Sequence, residues 1–182
     1  NEILDLSKIE AGMVEFTITP VRLHPLCKEI HDALKFRCPE GVELVYEASD
    51  EEIVVEGDKN RIFQVISNLI GNAFKFTTRG SVGYGYRRKG NGIEFYVSDT
   101  GIGIPEADRP NIFNRLYRVD KARSRAHGGS GLGLSIVHDA AALYGGTVTV
   151  DGVEPHGTRF TVTFPRAKAD NAPEVQKEVP ET

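Results

Sequence analysis

Amide and basic side chains recur at helical spacing within residues 58–77, DKNRIFQVISNLIGNAFKFT. At 100° per residue, Asn68, Asn72 and Lys75 lie along one line of a helix of about five turns. Apolar residues occupy most of the other positions, which predicts a helix that is buried on most sides. A buried amide without a partner costs roughly 1–3 kcal/mol, so these amides need a polar ligand if they are buried. A solvated polar face is the alternative that the helix pattern alone allows.

A second group of candidate residues follows a predicted strand, in the segment Asp99-Thr-Gly101-Ile-Gly103. A carboxylate accepts hydrogen bonds only, so Asp99 is suited to an exocyclic amine such as the N6 group of adenine. The two glycines let a flat ligand approach the backbone. An Asx turn that caps the strand end is the alternative for Asp99.

A second glycine-rich turn, Gly129-Ser-Gly131-Leu-Gly133, leads directly into a predicted helix. Free backbone N–H groups and the positive end of the helix dipole can hold an anion at such a position. A simple hinge is the alternative. Two common nucleotide motifs do not occur: there is no GxxxxGK[ST] sequence, and Pro105 interrupts any helix after the first glycine pair.

The elements that must position these groups follow from apolar periodicity. Amphipathic helices are predicted for residues 23–34, for residues 58–77 and after the second glycine turn as far as Gly145-Gly146. Short strands are predicted at 13–19, where Pro20 ends the strand, at 42–47 and 53–56 around an acidic turn, at 82–86 and 93–97 as a hairpin, and at 147–150 and 158–164. Together they predict an α+β two-layer sandwich, with three helices on one face of a mixed, mostly antiparallel and mostly hairpin-linked sheet.

Composition excludes several classes of protein. The 182 residues carry a formal net charge of −4, which argues against nucleic acid as a partner, and 40% are apolar, which is enough for a core. Two cysteines without a CxxC pair suit a reducing compartment. No apolar run approaches membrane-spanning length and no signal peptide opens the chain, so we expect a soluble piece without membrane contact. Because it begins at Asn1 within a helical pattern, we expect a fragment of a longer protein, with residues 167–182 as a disordered tail or linker.

Taken together and in this order, the motifs closely resemble the ATP-binding catalytic domain of sensor histidine kinases. Residues 68–76, 99–103, 112–120 and 129–134 are similar to the N, G1, F and G2 boxes of that family. Residues 157–160 (GTRF) look like its trailing glycine motif, and residues 1–12 look like the end of the preceding dimerisation helix. The resemblance implies a Bergerat-type ATP-binding fold, with residues 13–166 as the catalytic domain.

The resemblance also implies a role for each matching residue. Asn72 would coordinate Mg²⁺, and Asn68 would position the γ-phosphate or an ordered water. Lys75 and Arg118 would contact phosphate oxygens and, with Asn68, act in catalysis. Asp99 would accept the adenine amine. The other residues expected to contact the nucleotide shape the adenine pocket or the lid over it: Phe76, Gly101, Ile102, Gly103, Phe113, Tyr117, Gly129, Gly131, Leu132, Gly133 and Thr158.

The lid segment is basic. Five basic residues and one acid lie within residues 115–125, an unusual cluster in an acidic chain and a suitable counterion for a triphosphate. A solvated loop is the alternative. Leu116 departs from the family, which often has Phe there, and this affects only the packing of the lid.

The implied function is transfer of the ATP γ-phosphoryl group to a histidine on a dimerisation domain, for relay to the receiver domain of a response regulator. The parent protein would be a homodimer, and this piece would be monomeric and cytoplasmic, as the kinase portion of a parent that could itself be anchored in a membrane. None of the five histidines lies in a phosphoacceptor motif, so we interpret all five as ordinary surface or core residues and expect the acceptor upstream of Asn1. One alternative is a hydrolysing ATPase, which would need a general base where Asn68 stands. The other is a signalling module that binds no nucleotide.

Overall fold

The computed structural model describes residues 17–119 and 131–164. The interpretations of residues 1–16, of residues 120–130, which include Gly129 and most of the basic cluster, and of residues 165–182 lie outside these ranges. In chain order the described elements are β1 (Thr19–Arg22), α1 (Leu23–Leu34), β2 (Val42–Glu47), β3 (Val54–Gly57), α2 (Lys59–Phe76), β4 (Gly80–Lys89), β5 (Gly92–Asp99), α3 (Gly133–Leu143), β6 (Thr147–Gly152) and β7 (Thr158–Phe164).

The main sheet has five strands in the order β2-β4-β5-β7-β6. The pair β2–β4 is parallel, and the other three pairs are antiparallel. The three described helices pack on this sheet, which confirms the predicted sandwich. Alternate residues of the strands face the helices and are buried, as the period-2 patterns predicted: Val82, Tyr84, Tyr86, Ile93, Phe95, Val97, Phe160 and Val162.

The central helix α2 has a clear physical start and a buried apolar stripe. The Asp58 carboxylate caps it, since Oδ1 accepts the backbone N–H groups of Asn60 and Arg61 at 2.9 and 3.2 Å. The buried positions recur three and four residues apart: Ile62, Val65, Ile66, Leu69, Ile70 and Ala73. The prediction for residues 58–77 is confirmed, with its two end residues as the caps.

The prediction for the first strand is wrong at its end. Pro20 does not end the strand but lies inside β1, opposite Glu56 of β3. Among the described strands, β1 pairs only with β3, so it is an edge strand and can accommodate a residue without an N–H group.

The two strands around the acidic turn do not pair with each other. β2 pairs with β4 in parallel, and α2 supplies the crossover between them, whereas β3 pairs with β1 in a separate two-stranded sheet. The expectation of mostly hairpin-linked strands is therefore corrected here. Strand periodicity shows which residues face the core, but it does not show which strand is the neighbour.

Candidate functional site

The Asp99 loop, residues 99–103, lies against the C-terminal end of α2. The Ile102 N–H donates to the Phe76 carbonyl at 3.1 Å. A side chain on Gly101 would collide with the same carbonyl, so this approach requires glycine. The fold thus brings two motifs together. Their contacting residues, Phe76 and Ile102, are 26 positions apart in the sequence.

Asp99 is buried, with 5% of its surface exposed. Its Oδ1 atom accepts the Gly101 N–H at 2.8 Å, so the Asx turn that the sequence offered as an alternative is present. Burial raises the pKa of the Asp99 carboxyl, while hydrogen bonds from the Gly101 and Thr158 backbones oppose part of the rise. Thr158 lies opposite Asp99 in the pairing of β5 with β7. The site therefore holds a carboxylate that is desolvated and oriented.

The other side of the Asp99 loop is closed by the turn between β6 and β7. Gly157 in this turn approaches Asp99 so closely that a side chain on it would meet the Asp99 carbonyl. Gly103 takes a positive φ of 75° beside the same turn. His156 lies in the turn, with its Nδ1 atom 3.0 Å from the Gly101 carbonyl oxygen.

The polar line of α2 (Asn68, Asn72 and Lys75) is less enclosed. Asn68 and Asn72 are half-buried, and Lys75 is exposed. The Nδ2 atom of Asn68 is itself buried, and it has no hydrogen-bond partner among the described residues. This donor is therefore not part of a solvated face, contrary to the alternative that the helix pattern allowed. Because the atom is enclosed, a ligand oxygen could reach this donor only after the Asn68 side chain turns toward the surface.

A groove of about 560 Å³ runs along the same helix beside Asn68. It begins near Thr17 and extends along the first half of α2. Its lining residues are Thr17, Asp58, Asn60, Arg61, Phe63, Gln64, Ser67 and Asn68.

The segments on either side of residues 120–130 contact each other. The Leu116 N–H donates to the Gly131 carbonyl at 3.1 Å, and both residues have positive φ, 61° and 75°. The Tyr117 hydroxyl donates to Asp108 at 2.6 Å. Phe113 packs edge-on against Phe160 of β7, with ring centroids 6.2 Å apart. Phe113 thus packs this segment against the sheet. Its role as a lid anchor stays a prediction.

The structure brings the predicted site residues together in three groups. Phe76, Gly101, Ile102, Gly103 and Thr158 form or contact the Asp99 loop, and Ile102 keeps 58% of its surface exposed. Asn68, Asn72 and Lys75 share one face of α2. The remaining described residues belong to the lid segment or to the start of α3: Phe113, Tyr117, Arg118, Gly131, Leu132 and Gly133.

Sequence reasoning missed two residues that shape the Asp99 loop. His156 was interpreted as an ordinary histidine, yet it contacts the Gly101 carbonyl. Thr100 ties the loop to β4, since its Oγ1 atom accepts the Ser81 N–H at 3.0 Å. In the sequence, only the position of these two residues next to the glycine motifs indicated a role for them.

Comparison with known proteins agrees with this geometry. The family model described as histidine kinase-, DNA gyrase B- and HSP90-like ATPase matches residues 57–168. The chain belongs to this ATPase family. Its matched part starts at the cap of α2 and includes the polar line, the Asp99 loop and the lid segment.

Within this ATPase family the chain is similar to sensor histidine kinases. It is 34% identical over 168 residues to the sensor histidine kinase WalK of Bacillus subtilis. This aligned region covers 91% of this chain and 28% of WalK. Its relatives support the assignment to the catalytic ATP-binding domain of the sensor histidine kinase type.

Solved structures support the same family assignment. The full-length structure of ShkA in complex with AMPPNP has a TM-score of 0.83 and 30% identity, over 93% of this chain and 35% of ShkA. The nucleotide-free catalytic domain of histidine kinase ThkA has a TM-score of 0.72 and 26% identity, over 84% of this chain and 97% of that domain. The chain therefore spans less than half of WalK and ShkA. No helix within residues 17–119 or 131–164 is both long and apolar enough to cross a membrane.

Proposed function

We propose that this histidine kinase-type ATPase domain binds Mg·ATP and transfers the γ-phosphoryl group to a histidine of a dimerisation domain in the same parent protein. The phosphoryl group would then pass to the receiver domain of a response regulator. The observation that carries the proposal is the pair of groups that the fold leaves for a ligand. These groups are the buried, oriented Asp99 carboxylate and the buried Asn68 amide without a partner.

The Asp99 loop is suited to adenine. A carboxylate whose Oδ1 atom accepts the Gly101 N–H can accept an exocyclic amine on its other oxygen. Phe76 and Ile102, next to it, keep 39% and 58% of their surfaces exposed and offer apolar contact to a flat base. Guanine presents a carbonyl where adenine has its amine, so this site should discriminate against GTP.

The polar line of α2 is suited to the phosphates. Asn68 has an unsatisfied donor that a phosphate oxygen could bind once the side chain turns outward, and Lys75 offers an exposed cation one turn beyond Asn72. The oxygen of the Asn72 amide fits Mg²⁺, which takes oxygen ligands and keeps water and phosphate oxygens in most of its positions. When bound, Mg²⁺ would neutralise phosphate charge. Arg118 would contribute a further positive charge from the lid segment.

Catalysis by these residues is positioning and charge neutralisation. Phosphoryl transfer needs little covalent chemistry from the protein, provided that the acceptor and the γ-phosphoryl group are held in line. Asn68 is an amide and cannot remove a proton from water, which disfavours a hydrolysing ATPase. A module that binds no nucleotide would have no use for a desolvated carboxylate and an unsatisfied amide, since both cost stability.

We further propose how the domains of the parent protein are arranged along this part of its chain. Residues 1–12 would be the end of the second dimerisation helix, and residues 13–166 would be the catalytic domain. The parent would act as a homodimer in the cytoplasm, and this chain would be monomeric.

A phosphotransfer assay tests the proposed function. The chain is incubated with Mg²⁺ and γ-labelled ATP, either alone or with the parent's separate dimerisation segment. We expect acid-labile label on the added segment and none on this chain, with slow transfer because docking is bimolecular. Rapid phosphate release without an acceptor would support hydrolysis instead. Acid-labile label on one of the five histidines of this chain would contradict the proposed acceptor.

A further inference from the structure

His156 contacts the Asp99 loop from the side opposite to α2. Its Nδ1 atom lies 3.0 Å from the Gly101 carbonyl oxygen, and 55 residues separate the two in sequence. A carbonyl oxygen only accepts, so the proton of this hydrogen bond belongs to Nδ1. The contact therefore selects the Nδ1–H tautomer when the ring is neutral.

The Gly101 carbonyl and the Ile102 N–H belong to the same peptide unit. This unit is planar and trans, so its C=O and N–H groups point in opposite directions. His156 donates to the C=O on one side, and the Phe76 carbonyl accepts from the N–H on the other, at 3.1 Å. The peptide is thus clamped between the turn that carries His156 and the end of α2.

This peptide directly follows the N–H group that orients Asp99. The Gly101 N–H donates to Asp99 Oδ1 at 2.8 Å, so a rotation of the 101–102 peptide would disturb the partner of the carboxylate. The turn is a firm support for the clamp, because the Val153 N–H donates to the Gly157 carbonyl at 3.2 Å across it. Gly157 also packs directly on the Asp99 backbone.

We propose that His156 is a positioning residue for nucleotide recognition. It holds the 101–102 peptide so that Asp99 faces the exocyclic amine of the base. The proposal rests on the proposed function, because it concerns the same pocket. His156 lies outside the motifs that the resemblance identified, and its contact is made through a backbone carbonyl rather than through the ligand.

Substitutions at one position test the hydrogen bond. His156→Ala should weaken ATP binding about three- to tenfold, the effect of one hydrogen bond. His156→Asn keeps a donor nitrogen on Cγ and should restore affinity to within about twofold of the unaltered chain. His156→Asp places an acceptor opposite the carbonyl and should bind no better than the alanine variant. Glu154→Ala is the matched control, since Glu154 is exposed in the same turn.

Two further measurements separate positioning from a general loss of structure. In a chain that already carries Asp99→Asn, adding His156→Ala should have little further effect on ATP affinity. The contact between Asp99 and the exocyclic amine, which His156 positions, is already lost in that chain. The ¹⁵N resonances of the His156 ring should show a protonated Nδ1 in the neutral form. A neutral ring protonated on Nε2 would overturn the proposal even if a variant fails to fold.

The outcomes distinguish this inference from the function on which it rests. If the unaltered chain does not bind ATP, both are wrong. If the unaltered chain binds ATP and His156→Ala binds it equally well, only the role of His156 is wrong. If alanine and asparagine weaken binding equally, the side chain acts through packing, and the hydrogen-bond mechanism is rejected.

Discussion

The Asp99 loop and the polar line of α2 belong to one candidate site, but they differ in how far the protein completes them. The loop is held by hydrogen bonds within the protein: backbone groups of α2 and β4 and the His156 side chain of the β6–β7 turn bind it. The polar line has a buried amide nitrogen without a partner among the described residues and ends in an exposed lysine. The comparison indicates that the base pocket is preorganised, whereas the phosphate contacts form only with the ligand.

The largest expected effect concerns the preorganised region. Gly101→Ala should abolish ATP binding and lower the free energy of unfolding by about 1–3 kcal/mol, because the new Cβ meets the Phe76 carbonyl. Gly71→Ala is the matched control in α2, where nothing lies within 4 Å of an added Cβ. It should raise the free energy of unfolding by about 0.5–1 kcal/mol. Thermal unfolding and calorimetric titration of both variants measure the contrast, and equal destabilisation would show that the loop is not tightly packed.

The next effect separates binding from stability in the same loop. Asp99→Asn should weaken ATP binding about 10- to 100-fold through loss of a charge-assisted hydrogen bond. It should not destabilise the ligand-free domain at neutral pH, because burial disfavours the ionised carboxylate there. Comparable affinities of the unaltered chain for ATP and GTP would contradict the assigned role of Asp99.

The pH dependence of the unaltered chain sharpens this prediction. The pKa of Asp99 is raised in the folded state, so its contribution to stability is complete below the unfolded value of about 3.9. This contribution is lost as the pH rises through the folded pKa. ATP affinity should change in the opposite direction and fall on acidification through the same pKa. Asp99→Asn should lack both dependences, which unfolding and binding measured over a pH series would show.

A smaller effect is expected at the polar line. Mg²⁺ should raise the affinity of the unaltered chain for ATP, and Asn72→Ala should lose most of that rise, about three- to tenfold, while the fold persists. Calorimetric titration with and without a chelator measures this. Equal affinities of the unaltered chain in the two conditions would exclude a metal role for Asn72.

The smallest effect tests whether the polar line costs stability. Asn68→Ala removes a buried donor that lacks a partner, so the free energy of unfolding should stay constant or rise by up to about 1 kcal/mol. ATP affinity should fall about threefold through the lost phosphate contact. Gln64→Ala is the control, because Gln64 accepts a hydrogen bond from Arg61 at 3.0 Å and its loss should be mildly destabilising. The prediction would be contradicted if chemical denaturation showed Asn68→Ala to be less stable than Gln64→Ala.

The helices and most strands could be predicted because their signals are local. The 3.6-residue period of α2, with Asp58 as its cap, and the alternation in β5 and β7 arise within one short segment. The position of Pro20 and the partners of β2 and β3 could not be predicted in this way. They depend on which strand lies alongside, and that choice is made by the packing of the whole sheet.

The sequence by itself determined which functional groups are available: amides and a lysine along one helix, a carboxylate before two glycines at a strand end, and a basic segment. It also determined the order of these motifs, which is sufficient to identify the family. Only the tertiary structure decided that Asp99 is desolvated, that the Asn68 amide is left without a partner, and that His156 supports the Gly101 carbonyl. The physical reason is that burial and hydrogen-bond partners depend on residues distant in sequence, as with Gly101 and His156, which are 55 positions apart.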